Sequence, residues 1–140
     1  MYIYGFSSII FKLHKSLLLT LFCFLAPHSA QTNITIVVTN SLTGGPKRMY
    51  STYTVYRGIL IGAMRRLQET NEHFNFTYSE DSNYGPYLES VNGLAGNFAE
   101  RTYWQLKVKK PNGVVIIPNV GIGCYIPTTN DEIIFNFTSY

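Results

Sequence analysis

Side chains able to do covalent or metal chemistry are scarce in this chain. From Gln31 onward there is one histidine, His73, and one cysteine, Cys124. They could act as base and nucleophile only if the fold brought them together, and no local pattern implies that. Histidine, cysteine and carboxylates do not cluster with metal-ligand spacing, so no metal site is expected. The carboxylate pairs Glu80-Asp81 and Asp131-Glu132 are sequence neighbours in predicted loops and are expected to be solvated. Tyr56-Arg57-Gly58 lacks the spacing of a phosphate loop. Lys107, Lys109 and Lys110 lie beside a predicted turn, where they would keep a strand edge soluble. The expectation is a protein that is not an enzyme, with no catalytic residues and no catalytic cofactor.

Non-covalent binding is better provided for. Tyr84, Tyr87, Tyr103 and Trp104 combine flat apolar rings with polar tips, and Asn83 and Gln105 add amides that both donate and accept. Rings of this kind cover the apolar parts of a large amide-decorated small molecule, while the amides replace the water it loses. A second reading is equally physical: a strand containing Trp104 is core, and a Gly-Pro-Tyr segment is simply a turn.

The elements that must position these residues follow from composition and periodicity. With 140 residues, 46% of them hydrophobic and only 14% charged, the chain suits one globular domain and not a disordered one. Removing Lys12 and Lys15, which fall in the leader described below, leaves nine Lys and Arg against eight Asp and Glu. That balance provides no electrostatic footprint for nucleic acid. Strands are predicted at Asn33 to Thr39, Tyr50 to Val55, Phe74 to Tyr78, Thr102 to Val108, Val114 to Ile117, Cys124 to Ile126 and Glu132 to Phe137. Turns are expected at Ser41 to Pro46, with Gly44-Gly45-Pro46, at Tyr84-Gly85-Pro86-Tyr87 and at Lys109-Lys110-Pro111-Asn112-Gly113. Between Arg57 and Thr70 the period changes: Ile59, Ala63 and Leu67 recur every four residues with Leu60 and Met64 beside them, an amphipathic helix. Gly58 and Gly62 weaken that helix by about 1 kcal/mol each relative to Ala, and as small residues they would let a sheet approach. The predicted fold class is α+β, a small mainly antiparallel β-sheet domain with the helix packed across it.

The first thirty residues resemble an address. Lys12 and Lys15 precede an apolar run from Leu17 to Leu25, and Ser29-Ala30 provides a small-residue exit, the three parts of a secretory signal peptide. The run is roughly half the ~20 residues a bilayer span requires, so no permanent membrane span is expected. The domain boundaries are therefore 1–30 for the signal and 31–140 for the folded unit, with the protein secreted. Sequons at Asn33, Asn75 and Asn136 agree with export and mark candidate glycosylation sites. Loss of Cys23 with the leader would leave Cys124 alone, either a small buried hydrophobe or the donor of an intermolecular disulfide.

Several segments in one order then resemble a known family. Tyr84-Gly85-Pro86-Tyr87-Leu88, followed by Thr102-Tyr103-Trp104-Gln105-Leu106 and by Tyr125-Ile126-Pro127 with the ending Asn136-Phe137-Thr138-Ser139-Tyr140, resembles the C-terminal β-rich domain of the cobalamin carriers, the intrinsic factor and transcobalamin family. The likeness spans about Asn33 to Tyr140. It implies a vitamin B12 carrier function in which cobalamin is a ligand and not a cofactor, and cobalt travels with it. The contact segments it implies are Asn83, Tyr84, Gly85, Pro86, Tyr87 and Leu88, with Trp104, Gln105, Leu106 and Lys107. Gly85 would let backbone amides approach the corrin, and Trp104-Gln105 would offer a ring beside an amide. Family members usually carry Trp at the position of Tyr84, and the intrinsic factors have an acidic residue at that of Cys124. The stretch from Trp104 to Tyr125 is about five residues longer here. The family's helical domain is absent, so the implied partners are a corrinoid and either a separate helical carrier domain or a cell-surface receptor. The alternative is a secreted interaction module for protein or glycan that keeps the fold without the ligand.

Overall fold

The β-branched run at the start of the folded unit forms β1 (Gln31–Asn40), and it pairs antiparallel with β2 (Arg48–Val55). The computed structural model describes residues 30–140. The expected signal segment, including its positive flank and apolar run, lies outside the described residues. An Asx turn closes the β1–β2 connection: Asn40 Oδ1 accepts from the amides of Leu42 and Thr43 at 3.0 and 3.2 Å. The single described helix, α1 (Leu60–Thr70), follows. Next come β3 (Phe76–Asp81), β4 (Gly85–Val91), the two-residue β5 (Leu94–Ala95), β6 (Thr102–Lys109), the two-residue β7 (Val115–Ile116) and β8 (Glu132–Ser139).

These strands make two sheets, a five-stranded one in the order β2-β1-β8-β6-β7 and a three-stranded one in the order β3-β4-β5. The expectation of a mainly antiparallel sheet holds at every ladder but one. β1 runs parallel to β8, with Thr35 opposite Glu132 through Asn40 opposite Phe137, so the larger sheet is mixed. That pairing joins the two ends of the folded unit and places β1 in the sheet interior. The consecutive burial of Ile36, Val37 and Val38 fits such a strand, covered on both faces.

One core joins the layers. Ile34, Ile36 and Val38 of β1, Trp104 and Val108 of β6, and Ile133, Phe135 and Phe137 of β8 alternate toward the same side of the large sheet. Leu60, Ile61, Ala63, Met64 and Leu67 of α1 meet them there, together with Phe76, Leu88 and Val91 of the small sheet. The helix begins three residues later than its periodicity suggested. Ile59 is 40% exposed, and Gly62 faces solvent with nothing within 4 Å of where its Cβ would stand. Gly62 therefore does not serve as a notch for the sheet.

Other local expectations are corrected. Gly85, Pro86 and Tyr87 open β4 and do not belong to the turn before it. Cys124 to Ile126 forms no strand. It belongs to a looped segment in which the amides of Cys124 and Tyr125 both donate to Gly121 O, at 3.1 and 3.0 Å. Cys124 is exposed, so it is not a buried hydrophobe.

Candidate functional site

The β3–β4 turn is built by one side chain. Asp81 Oδ1 accepts from the amides of Asn83 and Tyr84 at 2.8 and 2.9 Å, so the turn is fixed by its own geometry. Gly85 closes it with φ of 72°, a conformation that favours glycine. Its role is thus conformational; the space around its absent Cβ is empty, and no close approach is made there. The turn holds Tyr84 at 86% exposure and the start of β4 holds Tyr87 at 57%, while Leu88 points inward and is buried.

The second segment behaves oppositely. Trp104 is 8% exposed, packs on Phe137 at 5.1 Å between ring centroids, and donates its indole N–H to Leu94 O at 2.8 Å. Leu106 packs against the same core. Alternation along β6 sends Gln105 and Lys107 to the other face of the large sheet. Trp104 therefore does not offer a free ring beside the amide of Gln105, because strand pleating separates neighbours. The chosen residues also line different grooves. Tyr87 lies in one of about 540 Å³ with Glu89, Phe98 and Tyr140. Trp104 edges one of about 220 Å³ with Pro46 and Leu94, and Lys107 lies in one of about 560 Å³ with Lys47, Val115 and Ile134.

What reaches the start of β4 is a segment that the sequence reading did not count among the contact residues. The chain between β6 and β8 returns against Pro86: a Cβ on Gly123 would stand 2.5 Å from Pro86 Cδ, and one on Gly121 3.7 Å from Pro86 O. This same connection carries Val114, Val115, Ile116, Ile117 and Val120, all between 37% and 61% exposed. The apolar run at 114–117 is thus an exposed edge where its composition suggested core. The four-residue aliphatic run was the available signal; only its position on a sheet edge made it a surface.

A buried charge cluster anchors that connection. Lys110 Nζ donates to Asp131 Oδ2 and Oδ1 at 2.9 and 3.1 Å, to Tyr125 Oη at 3.1 Å and to Thr128 Oγ1 at 3.2 Å. The Asp131 carboxylate also accepts from Tyr125 Oη at 3.1 Å, the Thr128 amide at 2.9 Å and the Thr128 hydroxyl at 3.0 Å. Asp131 is fully buried, so the expectation of a solvated Asp131-Glu132 pair fails for Asp131. Lys110 likewise is no mere solubilising charge. Burial pushes the Asp131 carboxyl up, but the Thr128 amide, the Lys110 ammonium and the two hydroxyls hold it below its ordinary value. Burial alone would lower Lys110, yet its hydrogen bonds to Asp131 and Tyr125 raise it. Tyr125 is raised, first by burial and then by the Asp131 charge, against the opposing bond from Lys110.

The remaining candidates fall elsewhere. His73 is exposed beside Glu72 at 3.5 Å. Among the described residues no three His, Cys, Asp or Glu side chains stand where they could hold a metal ion, and no helix is long and apolar enough to cross a membrane. Of the sequons, Asn33 and Asn75 are exposed. Asn136 is 9% exposed in the middle of β8. Its Oδ1 accepts from Thr39 at 2.8 Å and its Nδ2 donates to Ser41 at 3.3 Å, so its amide is already occupied in the folded chain.

Comparison with known proteins places this arrangement. A family model described as a domain of unknown function (DUF4430) matches residues 61–139. Human cobalamin binding intrinsic factor is 33% identical over 119 residues, covering 81% of this chain and 27% of that protein. Human transcobalamin-1 is 37% identical over 59 residues, covering 41% of this chain and 13% of that protein. The chain thus spans about a quarter of the length of the intrinsic factors it matches. Among solved structures, haptocorrin in complex with Cbi superposes with a TM-score of 0.68 at 20% identity, over 81% of this chain and 26% of that one. A suspected metal-binding protein of Ruminococcus gnavus superposes with a TM-score of 0.53 at 12% identity, over 78% of this chain and 98% of that one. The mixed sheet, the helix laid on it and the small sheet beside it are therefore a fold shared with haptocorrin, and the chain belongs to the DUF4430 domain family, with a sequence similar to that of the cobalamin binding intrinsic factors.

Proposed function

We propose that this chain is an exported, non-catalytic corrinoid-binding domain that covers one face of a cobalamin-like ligand. One observation carries the reading: a turn tied by Asp81 and the start of β4 that follows it present Tyr84 and Tyr87 to solvent. The chain around it is 33% identical to a cobalamin-binding protein. Asn83, Tyr84, Gly85, Pro86 and Tyr87 form the ligand-facing rim, backed at Pro86 by Gly121 and Gly123. Leu88, Trp104 and Leu106 act from beneath, by holding the rim's strands on the core. Gln105 and Lys107 belong to this site only if a ligand wraps across the sheet edge. Export through the segment at 1–30 completes the reading, with glycans at the exposed Asn33 and Asn75. The partner is a helical carrier domain or a cell-surface receptor.

A ligand covered on one face forgoes much apolar burial, worth ~25 cal/mol per Å². It still gives up translation and rotation at a cost of several kcal/mol. Micromolar or weaker affinity for cyanocobalamin is the expected result for the isolated chain. Equilibrium titration followed by the absorbance of the corrin tests this, alone and with a helical partner. A nanomolar monomer would overturn the one-sided geometry.

A second reading has its own support. Trp104 is largely buried and shows only an edge to a groove, and the residues chosen by resemblance line three separate grooves. An interaction module for protein or glycan that keeps the carrier fold would look like this, and it predicts no spectral change and no retention of the corrinoid.

A further inference from the structure

The Lys110–Asp131 pair sits where it can do more than stabilise. A well-packed apolar pair of similar volume would serve stability as well or better, because both charges must be desolvated. The two residues stand 21 positions apart, at the end of β6 and the start of β8, and so close the base of the whole connection between those strands. Tyr125 is the joint. Its hydroxyl belongs to the charge cluster, while its carbonyl accepts from the Leu60 amide at 2.8 Å. Ile122 O accepts from the Ile61 amide at 2.9 Å. The helix has no side-chain cap, so these two carbonyls supply part of what a cap would supply. Between them, Gly123 packs on the ring of Pro86 in the rim.

We propose that Lys110 and Asp131 form a latch that positions the Gly121–Tyr125 loop, and through Pro86 the rim that carries Tyr84 and Tyr87. They are positioning residues and touch no ligand. The part of this inference that concerns the rim rests on the corrinoid reading; the latch itself does not.

The test is amide hydrogen exchange on the purified chain, with cyanocobalamin titration run in parallel. Lys110→Met keeps the aliphatic stem and removes the charge. The amides of Leu60 and Ile61 should exchange about tenfold faster or more, while those of Val108, Ile133 and Phe135 in the central strands hold their protection. Unchanged protection at Leu60 and Ile61, or a loss matched by the central strands, would overturn the latch in favour of plain destabilisation. Should Lys110→Met fail to fold, Asp131→Asn and the double variant Lys110→Met with Asp131→Leu give the same reading. The double variant is expected to regain stability and still exchange fast at Leu60; slow exchange there would also defeat the proposal. Where the parent chain binds cyanocobalamin, Lys110→Met should weaken it about fivefold or more, since rim geometry is lost while contact groups remain. Unaltered affinity would sever the latch from the rim. A parent that binds no cyanocobalamin removes the corrinoid reading, and the exchange data then decide the latch alone.

Discussion

The segment Asn83–Tyr87, a turn running into the start of β4, and the strand segment at Trp104–Lys107 carry the same kinds of residue, aromatic rings beside amides, and the fold treats them in opposite ways. In the turn, Asp81 ties two backbone amides and leaves the Tyr84 ring in solvent, and Tyr87 follows on the exposed side of β4. In β6, the pleat sends Trp104 and Leu106 into the core and Gln105 and Lys107 to the far face of the sheet. Amphipathic aromatics suit a ligand surface and a core equally. The element that carries them makes the choice. A turn frees its side chains to solvent; a strand laid on a core divides its own between that core and the opposite face.

That contrast is open to direct challenge. The largest effect expected is from Trp104→Ala, which should cost about 3–5 kcal/mol in urea unfolding by opening a cavity against Phe137. Tyr84→Ala should stay within about 0.5 kcal/mol of the parent, and comparable losses from both would erase the distinction. Next, removal of both Tyr84 and Tyr87 should weaken cyanocobalamin binding by about 1–2 kcal/mol without moving the unfolding midpoint. A loss of binding from Gln105→Ala in their place would move the site to the opposite face.

The charge cluster sets a pH window. Asp131 is held below its unfolded value, so its contribution is present above about pH 4 and fades as pH falls through the lower folded value. Lys110 is raised, so its contribution is present below about pH 10.4 and fades as pH rises through the higher folded value. Thermal midpoints should therefore show a plateau between these limits, and Asp131→Asn should flatten the acid edge. An acid edge of the same steepness in that variant would assign it to other carboxylates.

Two smaller substitutions probe inside against outside. Thr54 is buried with an unpartnered hydroxyl, so Thr54→Val should stabilise by about 1 kcal/mol. Gly62 is helical, exposed and unobstructed, so Gly62→Ala should stabilise by about 0.5–1 kcal/mol. A destabilising outcome at Gly62 would mean that some surface closes over that face of α1.

Local order was legible wherever a period or a turn residue carried it. The alternation from Thr102 to Val108, the four-residue recurrence of Ala63 and Leu67, and the turn chemistry that ends at Gly44 each depend on neighbours a few positions away, and a strand, a helix and a turn at Ser41–Gly44 are present there. The order of segments along the chain was likewise enough to point to the carrier family, because homology is written in that order. Tertiary structure alone decided the rest. The parallel pairing of β1 with β8 joins residues about a hundred positions apart, and no short-range pattern encodes a partner. The same is true of Asp131, whose neighbours in sequence are polar and whose burial exists only because Lys110, Tyr125 and Thr128 converge on it. Val114–Ile117 shows the converse: an aliphatic run reads as core until its strand proves to be an edge. A chain's own sequence sets what each segment prefers to be; which side of it meets water depends on what the rest of the molecule lays against it.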